Sequence, residues 1–167
     1  MTTLSGIITP ANVPQMRAEY FDTLTDEGQR AVYQDFLTRA EVPENANENL
    51  RNASILFQNA RALRAAAGSN DIQRTYGILR AMGVEDPGVL LAGQFSRNGD
   101  IVGVNAVAER IANVQTTIGR NILRDNADAR AGADALMVAD PENAVNAVTS
   151  MYTMYERNPN LRRPINP

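Results

Sequence analysis

The side chains that most enzymes use for proton transfer and covalent chemistry are missing from this chain. There is no His, no Cys and no Lys, so all 16 basic residues are Arg. That removes the usual general bases, thiol nucleophiles and Schiff-base formers, leaving carboxylates and hydroxyls that have no His partner. A carboxylate hydrolase of the glycosidase kind needs two Asp or Glu side chains about 5–9 Å apart across a cleft. The 19 acidic residues supply many pairs. Six of them stand where helix starts want a cap or a negative charge: Asp26, Glu27, Asp71, Asp86, Asp140 and Glu142. Asp125, Asp128 and Asp134, in "RDNADARAGAD", loosely suggest an oxygen-rich metal loop. They lack the Asp-x-Asp-x-Asn-Gly order and the later bidentate Glu of a calcium hand, and read instead as a polar helix break around Gly132. A zinc site would have to be all-carboxylate, which zinc seldom uses. The stretch "GVEDPGVLLAG" has neither the spacing nor the Lys of a phosphate loop. No catalytic, cofactor-binding or metal-ligating residue is expected.

Binding chemistry is better represented. The last ten residues, "NPNLRRPINP", hold Pro159, Pro164 and Pro167, which stiffen the segment and lower the entropy cost of ordering it against a partner. Arg162 and Arg163 can each offer bidentate bonds to carboxylates, with Leu161 and Ile165 beside them to fill apolar pockets. At the other end, Ile7 and Ile8 can anchor by strand addition or pocket insertion. These six residues are the candidate partner-binding set; the competing reading folds both ends back onto their own helices. Met151, Tyr152, Met154 and Tyr155 cover more than one face of a helix, one for the core and one open to a partner or buried in the monomer.

Charge narrows the partner. A net charge of −3 and a pI near 5.0 give no electrostatic reason to bind nucleic acid or an anionic membrane. Ile72–Met82, the turn at Gly83 and a short helix from Pro87 can be drawn as a helix-turn-helix, yet "PGVLLAGQF" offers only Gln94 to read bases. Sequence-specific nucleic-acid binding is therefore not expected. No apolar run approaches the roughly 20 residues that span a bilayer, and Met1–Pro10 has no basic start of the signal-peptide kind. The expectation is a soluble protein of unassigned location.

Helices must position these groups. At 167 residues the chain has room for one domain. Val104, Val107, Ile111, Val114, Ile118 and Ile122 recur every three or four residues, which predicts a long central helix from about 103 to 129 with this stripe buried. Thr25, Asp71 and Asp86-Pro87 each read as a helix start, and Gly83 as a stop. These helices should turn Val32, Tyr33, Phe36 and Leu37, then Ile72, Tyr76, Leu79 and Met82, toward the core, with a weaker helix over Val13–Leu24. The tetrapeptide Pro-Glu-Asn-Ala occurs at 43–46 and at 141–144. It reads as helix-start punctuation, capped by Asp140 in the second copy and by Asn45 or Asn47 in the first. Asn98-Gly99 carries a hairpin signal, so a small β-hairpin over 94–104 competes with a polar loop. The expected organisation is all-α, with six or seven helices over residues 15–157, an extended N-terminal arm over 1–14 and an extended C-terminal arm over 158–167.

Together, the catalytically poor alphabet, the 17 Asn residues, the Arg-only basic surface and the arms lead to a non-enzymatic structural or assembly protein. Its partners would be other protein subunits, in a homo-oligomer or larger multi-copy complex. A phage or virus particle component, whether connector, core or capsid-associated, fits that composition. A small helical carboxylate hydrolase and a helical regulatory adaptor are the alternatives.

Overall fold

A computed structural model describes Ala11, residues 21–87 and residues 104–163 of the chain, with side chains described from 106 onward in the second stretch. Among these residues the protein is all-helical. A 3-10 turn, Phe21–Thr23, leads into α1 (Asp26–Arg39), α2 (Glu48–Gly68), α3 (Ile72–Ala81), α4 (Val104–Asp125), α5 (Ala127–Ala139) and α6 (Pro141–Arg157), and a second 3-10 turn, Pro159–Leu161, follows. The hairpin expected over 94–104, the helix expected from Pro87 apart from Pro87 itself, which is helical and buried, and most of the Val13–Leu24 segment lie outside the described residues.

The helix ends follow their capping chemistry. Thr25 Oγ1 accepts from the Gly28 N–H at 3.1 Å, Asp71 from Arg74 at 3.0 Å and Asn126 from Ala129 at 3.0 Å. Each satisfies one of the free amides of a first helical turn. Gly83 ends the α3 region with φ +96°, a left-handed conformation that favours glycine. Asp140 serves two helices: its N–H donates to Leu136 O at 2.8 Å, closing α5, and its carboxylate accepts from the Asn143 side chain at 2.6 Å, opening α6. Pro141 follows at the first helical position. The two Pro-Glu-Asn-Ala copies are therefore not equivalent. At 43–46 the tetrapeptide closes a turn, with Ala46 N–H donating to Pro43 O at 3.0 Å. α2 starts only at Glu48, where Asn47 Oδ1 accepts from Asn49 at 2.8 Å and from Leu50 at 3.3 Å. Val42 has no side-chain oxygen to do what Asp140 does, and the start moves to Asn47, which caps.

The described chain forms two compact units, divided inside α2 between Ser54 and Ile55 and inside α4 between Ile118 and Gly119. In the first unit α6 packs against α1 and α5, and α5 against α1. Its interior includes Phe36, Leu37, Leu50 and Met151, all nearly inaccessible. Phe21 meets Tyr33 edge-on at 5.1 Å between ring centres. Gly132 lies within α5, not at a break; a Cβ there would stand 2.9 Å from Leu50 Cδ2, so the absent side chain makes room for Leu50. The break falls at Asn126 instead, and the long helix stops at Asp125 rather than near 129. In the second unit Ala60, Leu63 and Ala67 of α2 pack with Leu79 of α3 and with Ala108 and Ala112 of α4. Arg64 donates to Asn113 and to the buried Thr116 hydroxyl, both at 3.0 Å.

The expected core face of α4 needs correction. Val107 is buried and Ile111 partly so, but Val114 is 56 % exposed and Ile118 44 %. The buried positions are Ala108, Ala112, Thr116, Gly119 and Leu123, which share a face turned away from the branched stripe. Small residues let helix backbones approach closely, so an alanine-rich surface on α2 selects the alanine-rich side of α4. The same correction applies to α3: Ile72 and Tyr76 are exposed, while Thr75 and Leu79 are buried.

Candidate interaction surface

Of the six residues singled out for partner binding, Ile7, Ile8 and Ile165 lie outside the described residues. Leu161, Arg162 and Arg163 fall together on the first unit. Residues 158–163 do not extend away from the helices: Asn158 caps the Pro159–Leu161 turn, and the chain then pairs antiparallel with the segment ahead of α1 through a bridge between Leu24 and Arg162. Thr25 N–H donates to Leu161 O at 2.7 Å and Arg163 N–H to Thr23 O at 2.8 Å. The Arg162 guanidinium stacks over the Tyr155 ring at 3.9 Å from its centre, a favourable cation–π geometry. Arg163 reaches Asp26 at 3.1 Å. Proline prevents a continuous helix here but permits one tight turn and a short extended pairing. Gly28 sits below; a Cβ there would stand 3.0 Å from Leu161 O, so glycine lets the tail lie close on α1.

Three carboxylates at or near the helix seams are held in structural bonds. Asp134 accepts from the Tyr33 hydroxyl at 2.8 Å. Asp35 accepts from Ser150 at 2.8 Å and pairs with Arg39 at 3.2 Å. Asp125 pairs with Arg124 at 2.8 Å, and hydrogen bonding from that guanidinium holds its carboxyl below the ordinary range. The loose Asp125, Asp128, Asp134 set is thus divided, with Asp134 turned to α1 and Asp125 to its neighbour. Among the described residues no group of three or more Asp or Glu is placed to hold a metal ion. Among them, too, no helix is long and apolar enough to cross a membrane.

The feature that sequence reading missed is apolar and lies on the second unit. Val114 and Ile118, one turn apart on α4, form an exposed pair, and Ile55, Ile72 and Tyr76 of the same unit are exposed as well. Exposed Arg110, Thr117 and Asn121 flank the pair on the helix surface. The signal that could have found it was present: Ala108, Ala112, Thr116 and Gly119 recur at helical spacing and compete with the larger residues for the core.

No protein-family model, no curated protein and no solved structure matches the chain.

Proposed function

We propose that this chain is a non-enzymatic structural protein that works through protein–protein contacts in a multi-copy complex. The observation that carries the reading is the exposed Val114–Ile118 pair. These side chains are about half exposed, so covering the rest of each is worth roughly half of the 1.5–3 kcal/mol of a full burial, and a partner that covers both gains a useful part of its affinity there. An apolar centre with Arg and Asn around it is also the usual anatomy of an interface. The lack of His, Cys and Lys supports the non-enzymatic part. A phage or virus particle component, built from many copies and rich in Asn and Arg, is the setting that this composition fits best.

The test is sedimentation of the full chain over a wide concentration range, beside a Val114→Glu/Ile118→Glu variant. The expected result is a concentration-dependent assembly that the variant loses while its melting temperature stays unchanged. A chain that remains monomeric up to millimolar concentration removes the homo-oligomer reading.

A further inference from the structure

We infer that the C-terminal tail is an exchangeable clasp: residues 158–163 of one copy can dock on the Thr23–Thr25 edge of a second copy, using the contacts they make to their own chain. This rests on the assembly reading and names the joint between copies.

The tail and its seat are separable pieces. Residues 158–163 follow α6 directly, and the seat lies far away in sequence, ahead of α1. The tail holds its seat through two backbone hydrogen bonds of 2.7 and 2.8 Å, one stacked guanidinium and one ion pair whose side chains are 55 % and 75 % exposed. Pro159 and Asn160 are exposed and Leu161 only partly buried, so these residues bring little apolar surface of their own to the seat. Pro159 also restricts the backbone of the undocked tail, so less conformational entropy is lost when it docks.

Each contact is self-complementary at the level of the chain. A neighbour's Arg162 meets the receiving copy's Tyr155, and its Arg163 the receiving copy's Asp26. Exchanging an identical element between copies reproduces the closed contacts, so the enthalpy of the joint is nearly balanced. Effective concentration then decides. A short tether holds its own tail near the seat at about millimolar effective concentration. Closely packed copies offer neighbouring tails at a similar level, and dilute solution does not. Exchange is therefore coupled to assembly. Residues 158–160 span at most about 10 Å when extended, so paired copies must bring the end of α6 in one close to the seat in the other. A reciprocal two-fold arrangement meets that condition at both seats at once.

The absence of Cys makes the joint directly readable. Thr23 and Arg163 stand opposite each other across the pairing, and such positions in antiparallel chains have Cα atoms about 5.5 Å apart, within disulfide reach. Full-length Thr23→Cys and Arg163→Cys chains are mixed and mildly oxidised over a range of concentrations. The double variant, which closes on itself, sets the oxidation conditions, and Asp128→Cys mixed with Arg163→Cys sets the collision background. Wild-type protein is sedimented at the same concentrations. Exchange predicts a cross-chain product several-fold above background that rises with concentration. A product at background in protein that sediments as an assembly overturns the clasp and leaves the assembly reading standing. A product at background in protein that sediments as a monomer overturns both.

Discussion

Tyr155 shows what a single residue contributes here and how its parts separate. Its ring is buried against the first unit and carries Arg162 on one face. Its hydroxyl is buried yet makes no hydrogen bond, and a buried polar group without a partner costs about 1–3 kcal/mol in lost hydration. The ring and the hydroxyl therefore act in opposite senses. Tyr155→Phe keeps the ring and its guanidinium and deletes only the unpaired oxygen. The expected outcome is an unchanged or higher urea midpoint, with a gain of up to about 1 kcal/mol. A lowered midpoint with an unchanged denaturant slope would show that the hydroxyl has a partner in solution. Tyr33 is the contrasting case, since its hydroxyl is spent on Asp134.

At the scale of the element, the caps were legible and the faces only partly so. Capping is local: Thr25, Asp71 and Asp140 need only the amides two or three residues ahead, so their roles can be read from the letters alone. The buried set of α1 (Val32, Tyr33, Phe36 and Leu37) was legible because large residues and helical spacing agree there. In α4 they disagree. Periodicity favours the branched stripe, while the alanines of α2 favour close approach by Ala108 and Ala112. That choice depends on a partner fifty residues away, which no window along α4 contains. The two faces should respond in reverse of what hydrophobicity suggests. Ala112→Leu places a larger side chain in a fully buried position and is expected to cost about 1–3 kcal/mol through overpacking. Ile118→Asp, at a position 44 % exposed, should cost less than about 1 kcal/mol in the isolated chain. Urea denaturation of both variants checks the order. If Ile118→Asp proves the more damaging, the buried face of α4 has been placed wrongly.

At the scale of the molecule, the tail raises the question of what holds the start and the end of the first unit together. Leu24, which precedes α1, is 1 % exposed, and its neighbours Thr23 and Thr25 have their backbone groups bonded to residues 163 and 161. The Pro and Arg content of the tail was legible, and so was the alternative that it folds back. What decided between them was not visible in the tail: a segment ahead of α1 whose backbone groups pair with it, a Tyr facing the right way on α6 and a Gly at 28 that leaves space. Ending the chain at Asn158 removes two backbone bonds worth about 0.5–1.5 kcal/mol each and a cation–π contact worth about 0.5–1 kcal/mol at an exposed site. The exposed Arg163–Asp26 pair adds little, because solvent and salt screen it. The expected loss is therefore about 1.5–4 kcal/mol, read as a lower urea midpoint in the dilute, unassembled chain. It should be nearly independent of added salt, since most of it is not ionic. An unchanged midpoint after truncation would mean that the seat holds the tail without depending on it for stability. A loss that disappears in high salt would assign the anchoring to Arg163 and Asp26 rather than to the backbone pairing and Arg162.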